Sequence, residues 1–232
     1  RRRVTSIGGA PRVVWRLATV IDNVPETPRT RTLLLDVPEW PGHRAGQHVD
    51  VRLTAEDGYQ TERSYSIASP PEDAHLALTV ERLEDGEVSP YLVNELRAGA
   101  KHQFRCPIGG SLAWDLPLGG PLCLVAGGSG IVPLMAMLRH RNAALANSDP
   151  AARHRVPARL LYSSRRWDEV IYRDELARLA ENDPTLEVPH TLTREAPEDW
   201  TGFRRPVGRQ MLAGVAVPGC GVFARASRLV EK

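Results

Sequence analysis

Between Val13 and Cys106 apolar and polar residues alternate in short runs broken by turn residues: VVWRLATVI, TRTLLLDV, GQHVDVRLT, YQTERSYSIAS, LALTVERL and KHQFRC. The alternation is plainest in His48 to Leu53 and in Leu76 to Leu83, and it predicts half-buried strands. Six such strands in succession predict a closed or nearly closed antiparallel Greek-key barrel. One helix interrupts them over Ser89 to Leu96, where Ser89 has the form of an N-cap and Pro90 that of a first helical residue, with Gly86 as a flexible approach. Such a helix start is a ready anion site or simply a capped connection.

The period changes after the glycine- and proline-rich stretch from Pro107 to Gly120. Pro121 to Ala126 is a continuous apolar run, as expected of a strand buried on both faces. Gly127-Gly128-Ser129-Gly130 follows, then Ile131, Val132, Pro133 and a helical run from Leu134 to Ala146. Strand, glycine turn and helix are the arrangement that binds phosphate, or a plain tight strand-to-helix turn, and the spacing is not G-x-G-x-x-G. Further units follow: a strand over Ala158 to Ser163, a helix over Asp168 to Asn182, a strand over Leu186 to Leu192, a helix over Val207 to Val215, and Gly219-Cys220-Gly221 leading into a helix-compatible end from Val222 to Lys232. This predicts a Rossmann-like parallel α/β domain over residues 116–232, after a barrel over 13–115 and a flexible basic terminus over 1–12.

The 232 residues suffice for two such domains. With 30 Lys+Arg against 28 Asp+Glu, bulk charge directs the chain neither to nucleic acid nor to a membrane. No run of about 18 apolar residues occurs, which predicts no membrane insertion. Cys106, Cys123 and Cys220 lack metal-cluster spacing and read as reduced cytoplasmic thiols, and the seven histidines show no ligand spacing, so no metal site is expected.

Candidate chemistry concentrates in Arg63-Ser64-Tyr65-Ser66. On a strand Arg63 and Tyr65 share one face. A cation beside an aromatic ring suits a flavin nucleotide, with phosphate on Arg63 and the isoalloxazine on Tyr65; Ser66 would offer a hydroxyl or N–H to a ring nitrogen. An edge strand with an exposed arginine and a packed tyrosine is the competing reading. After the second parallel strand, Ser164 and Arg165 occupy the place where a carboxylate selects NAD and an arginine tolerates the 2′-phosphate of NADP, which leans toward NADPH on charge, against surface arginines at a helix start. Cys220, between glycines at the carboxyl edge of a parallel sheet, would lie near a ligand; a structural thiol is the alternative.

In order, these motifs resemble the ferredoxin–NADP reductase superfamily, in particular its short bacterial members. Arg63 to Ser66 is similar to the family's R-x-Y-S flavin motif, Gly86-Glu87-Val88-Ser89 to its G-x-x-S motif, Gly127 to Pro133 to its nicotinamide-phosphate turn, and Cys220-Gly221 to its cysteine-glycine motif. The resemblance implies a flavin-binding barrel followed by a nicotinamide domain, with hydride passing from NADPH or NADH to FAD, rather than FMN, and electrons then passing to a ferredoxin or oxygenase component. It implies that Val80, Glu81 and Arg82 line the ribityl and phosphate region, that Ser89 binds pyrophosphate, and that Ser66 and Cys220 stand at the reacting rings. Val222 stands where the family usually has proline, and the chain stops at Lys232, before the family's last strand. A flavin-binding electron-transfer module with impaired nicotinamide turnover is the alternative reading.

Overall fold

The computed structural model describes residues 14–109, 111–146, 156–215 and 219–226. The basic terminus and residues 227–232 of the helix-compatible end lie outside them. Six strands form the first sheet: β1 (Val14–Thr27), β2 (Thr30–Asp36), β3 (His48–Thr54), β4 (Gln60–Ser66), β5 (Leu76–Glu81) and β6 (Lys101–Ile108), in the order β4-β3-β6-β1-β2-β5, all antiparallel. The ends of this order meet at a bridge between Ile67 and Leu78 and at a hydrogen bond from Ala68 N to Ala77 O of 2.8 Å. Ala18, Val20, Leu33, Leu35, Val49, Val51, Leu78 and Phe104 fill the barrel, joined by Val88, Leu92 and Val93 of α1 (Val88–Asn94). Each buried aliphatic side chain contributes about 1.5–3 kcal/mol.

A polar row crosses the opposite face of β4, β3, β6 and β1. Ser64 Oγ donates to Asp50 Oδ1 at 2.6 Å, and Arg105 donates to Asp50 Oδ2 at 3.1 and 2.5 Å. Burial favours the neutral carboxyl of Asp50, but Ser64 and Arg105 outweigh it and hold the group below the usual carboxylate range. Arg52 and Arg105 lie over the ring of Trp15, with Arg52 Cζ 3.8 Å from its centroid.

The second sheet is parallel, in the order β10-β8-β7-β11: β7 (Leu122–Gly127), β8 (Ala158–Arg166), β10 (His190–Glu195) and β11 (Gly221–Ala226), with β9 (Leu186–Glu187) beside β8. Helix α2 (Ile131–Ala146) is buried from Ile131 to Leu138 because it packs between this sheet and the barrel. Gly46, at φ 97°, marks the closeness of this packing, since a Cβ there would strike the Leu112 carbonyl and Met137.

The seam carries its own polar bonds. Arg139 of α2 donates to the Ala68 carbonyl at 2.7 Å and to both oxygens of Glu175 at 2.8 and 2.6 Å, and its guanidinium lies 4.7 Å from the Tyr172 ring centroid. The Tyr172 hydroxyl donates to Thr79 Oγ1, which lies 2.7 Å from Thr32 Oγ1. His140 meets Glu72 at 2.6 Å and Asp115 at 3.2 Å.

Several sequence expectations change. Leu76 to Val80 are all buried, not half-buried, because Ala77 and Thr79 face the second domain rather than water. The helix expected over Asp168 to Asn182 is a short turn over Trp167–Glu169 followed by α3 (Arg173–Asn182). Val170, Ile171 and Tyr172 between them are drawn into the seam, and Tyr172 adopts φ 58°. The strand expected over Leu186 to Leu192 splits at Val188-Pro189 into β9 and β10, where proline supplies no ladder donor. α4 (Arg209–Val215) starts two residues late, and the described part of the helix-compatible end is β11.

Candidate functional site

From Gln60 to Ser66, β4 pairs only with β3 among the described residues, so one side of the strand is open beside β5 and α1. Arg63 and Tyr65 share one face, opposite Val51 and Val49. Tyr65 is half-buried against the barrel core, and burial pushes its hydroxyl up to about 12 while Arg63 pulls it the other way. Arg63 is exposed; its guanidinium donates to Thr61 Oγ1 at 3.3 Å and the Glu62 carbonyl at 2.7 Å and meets no carboxylate among the described residues. Ser64 points to the other face, where its hydroxyl completes the Asp50 row. Its hydroxyl is thus engaged on the face away from Arg63 and Tyr65. Ser66, opposite His48, is half-buried at the end of the open strand.

The segment after β5 is held as a shaped loop. Arg82 N donates to Arg29 O at 2.8 Å, and Arg29 Nη2 returns to the Arg82 carbonyl at 3.1 Å. Leu83 N donates to Ser89 Oγ at 3.0 Å, and a Cβ at Gly86 would lie 3.0 Å from that oxygen. Glu87 is the N-cap residue of α1, so Ser89 lies inside the helix and ties down the loop instead of capping. Pro90 supplies no donor, and α1 has seven residues, so the helix start is a poorer anion site than its sequence suggests. Val80 and Val88 turn their side chains into the core and offer only backbone, whereas Glu81 and Arg82 are half-exposed and Glu87 is exposed.

In the second sheet, Gly127 ends β7 and Gly128 to Gly130 make one tight turn into α2, with Gly128 at φ 53°, where glycine is favoured. The Tyr162 hydroxyl donates to the Gly128 carbonyl at 3.2 Å and receives Ile171 N at 3.2 Å. Ser129 is half-buried; Pro133 is buried in the first turn of α2, which tolerates a missing N–H. The turn packs beside β5 of the barrel.

Three expected residues stand differently. Ser164 is 5% exposed and turned inward. Arg165 is paired to Glu169 at 2.9 Å, and the neighbouring Arg166 meets Asp168 at 3.0 Å and Glu195 at 3.1 Å, so neither guanidinium is uncommitted. Cys220-Gly221 lies at the amino end of the parallel sheet: Gly221 is opposite Leu122, and it is Ala226 that is opposite Gly127. Five residues of strand, about 16 Å, separate Gly221 from the glycine-turn end. Cys220 packs in a cluster with Cys123, Leu161, Met211 and Val215, so its expected place at the carboxyl edge of the sheet is corrected. The strand begins at Gly221, and that reverses the edge on which the cysteine falls.

His190 sits among the rings of Tyr162, Trp167 and Trp200, with centroids 5.7, 5.6 and 6.4 Å away. Burial lowers its pKa to about 4. An unfolded histidine titrates near about 6.5, so the unfolded chain binds the extra proton first and stability falls as pH drops from about 6.5 toward 4. Allowing for partial exposure, denaturant melts at pH 7 and pH 5 are expected to differ by about 1–2 kcal/mol from this group. His190→Gln should lose that part of the slope; an unchanged slope would count against it.

Sequence reading missed Tyr59, whose hydroxyl lies 3.4 Å from Glu87 Oε2, although it is in phase with Arg63 and Tyr65. It also missed Arg29, Arg139 and Tyr172, which carry no local signal.

Residues 18–112 match the oxidoreductase FAD-binding domain and residues 124–219 the oxidoreductase NAD-binding domain. The chain is 38% identical over 143 residues to methane monooxygenase component C of Methylosinus trichosporium, covering 62% of this chain and 38% of that protein. It is 37% identical over 161 residues to ferredoxin–NADP reductase B of Sorangium cellulosum, covering 69% and 61%. The cytochrome b5 reductase domain of Ulva prolifera nitrate reductase shares the fold at a TM-score of 0.77 and 19% identity, covering 92% of this chain and 87% of that one. The chain spans about half the length of the curated relatives it matches, between 38% and 61% for these two. No described helix is long and apolar enough to cross a membrane.

Proposed function

The chain belongs to the ferredoxin reductase-like oxidoreductases, with an FAD-binding and an NAD-binding domain, and from that premise we propose that it is a flavin-dependent NAD(P)H oxidoreductase serving a protein acceptor such as a ferredoxin or an oxygenase component. The observation that carries this reading is the convergence of the open face of β4, the 82–89 loop and the glycine turn beside β5. When bound, the flavin supplies the exchange between hydride and single-electron chemistry.

The chain's own residues supply binding and orientation. Arg63 is exposed and meets no carboxylate among the described residues, which suits a phosphate. Tyr65 offers a half-buried ring, Ser66 a polar group at the strand end, and Glu81 and Arg82 line the approach. The loop tied by Gly86 and Ser89 presents backbone at Glu87 and Val88. Gly127 to Gly130 let a second nucleotide approach α2 closely. Arg139, Glu175 and Tyr172 keep the two parts in one arrangement, which limits the orientations that the reacting groups sample.

The carboxylates of Glu169, Asp168 and Glu195 already engage Arg165 and Arg166. A 2′-phosphate would have to compete with them, so this reading favours NADH over NADPH. The test is the visible spectrum of the full chain loaded with FAD, followed without oxygen after adding each nicotinamide. The expected result is rapid bleaching of the flavin band, at least as fast with NADH as with NADPH. A band that bleaches with dithionite but with neither nicotinamide would overturn the oxidoreductase assignment.

A further inference from the structure

We propose that Tyr59 is the platform on which the adenine of FAD stacks, and so the residue that makes the site prefer FAD to FMN. The proposal rests on the flavin reading of Arg63 and Tyr65 above. Tyr59 immediately precedes β4, and its carbonyl accepts Ala55 N at 2.8 Å, so it continues the strand conformation. With side chains alternating, Tyr59, Thr61, Arg63 and Tyr65 lie on one face. Along that face the order is ring, charge, ring. FAD has the same order, with a flavin ring and an adenine ring on either side of a pyrophosphate.

At about 3.3 Å per residue, Tyr59 lies about 13 Å beyond Arg63 and about 20 Å from Tyr65. FMN ends at its phosphate, which places it against Arg63 with nothing to reach Tyr59. Only the dinucleotide extends to the second ring.

Tyr59 is also held in place and left open. Its N–H donates to Asp57 Oδ1 at 3.0 Å, and Gly58 at φ 87° closes the turn with Gly58 N to Ala55 O at 3.0 Å. Yet the side chain is 57% exposed, a large aromatic with little packed against it. Its hydroxyl lies 3.4 Å from Glu87 Oε2, in the loop proposed to hold the pyrophosphate, which puts the ring on the flavin side of the strand. Glu87, an acceptor, suits the adenine amino group, a donor.

The experiment is a fluorescence titration of the full chain, stripped of flavin, with FAD and with FMN, for the wild type, Tyr59→Ala and Tyr59→Phe. Aromatic stacking on one base predicts a loss of about tenfold or more in FAD affinity for Tyr59→Ala, no change for FMN, and retention of FAD affinity in Tyr59→Phe. Equal weakening of both flavins, or undiminished FAD binding in Tyr59→Ala, would overturn the assignment. A wild type that binds FMN as tightly as FAD would also overturn it while leaving the flavin reading standing. A wild type that binds neither flavin would bring down that reading and the Tyr59 role with it.

Discussion

Replacing Asp183 with alanine is expected to destabilise the protein by about 3–5 kcal/mol, the largest single effect among these predictions. Arg141, on α2, is 2% exposed and Asp183 is 4% exposed. Arg141 Nη1 donates to Asp183 Oδ2 at 2.6 Å, Nη2 to Thr185 Oγ1 at 2.7 Å, and Nε to the Val156 carbonyl at 2.5 Å. The other oxygen of Asp183 accepts Thr185 N at 2.9 Å and Thr185 Oγ1 at 2.7 Å. Removing the carboxylate strands a guanidinium in a site that water does not reach and also releases the turn into β9. The cost comes from the unpaired charge more than from the lost attraction, because forming the pair already required both groups to shed water. The double variant Arg141→Met with Asp183→Ala is therefore expected to be less damaged than the sum of the single changes. Urea denaturation of the four proteins checks this; additive losses would show that the pair acts as two independent anchors.

Arg63→Ala is expected to do the reverse, leaving stability within about 0.5 kcal/mol of the wild type while weakening flavin binding about 100-fold. The guanidinium is exposed and, among the described residues, bonds to Thr61 Oγ1 and the Glu62 carbonyl, so the fold loses little with it. A phosphate contact by a guanidinium is a charge-assisted, often bidentate bond, and its loss is worth about 2–3 kcal/mol. Isothermal titration with FAD at low and at high salt separates the charge from the shape of the site. The wild-type affinity should fall with salt more steeply than that of the variant. Arg63→Lys should recover part of the affinity, since it restores the charge without the fork. Unaltered flavin affinity in Arg63→Ala would remove the phosphate role.

Much of the barrel was legible because its signal is local. Leu33 and Leu35, and Val49 and Val51, alternate with polar neighbours, and a strand buried on one face requires that period. The apolar run into Gly127 to Gly130 announced a buried parallel strand and a tight turn for the same reason. The shared face of Arg63 and Tyr65 followed from strand geometry alone, and Tyr59 obeyed the same phase without being noticed.

What the chain's order could not reveal depends on contacts between distant residues. The hydroxyl of Ser64 reads as free until the register of β3 and β6 sets Asp50 and Arg105 beside it. Ser89 reads like a cap until the loop folds Leu83 back onto its hydroxyl. The helical period over Asp168 to Asn182 gave no warning that Tyr172 would break it to reach Thr79 on another sheet. Arg165 looked like a free cation until Glu169 was placed against it.

Cys220 shows the division most clearly. In a stretch with glycines on both sides, sequence alone does not say whether the strand ends at the cysteine or begins after it, and a parallel sheet turns that choice into opposite edges of the domain. By itself the sequence determined two domains, a barrel followed by a parallel sheet, and within them an aromatic–cationic strand and a glycine turn, because periods and turns are written in neighbouring residues. Only the tertiary structure decided which hydroxyls are consumed internally, which guanidiniums are already paired and which end of the sheet a residue occupies, because register and ion pairing are settled between segments far apart in the chain.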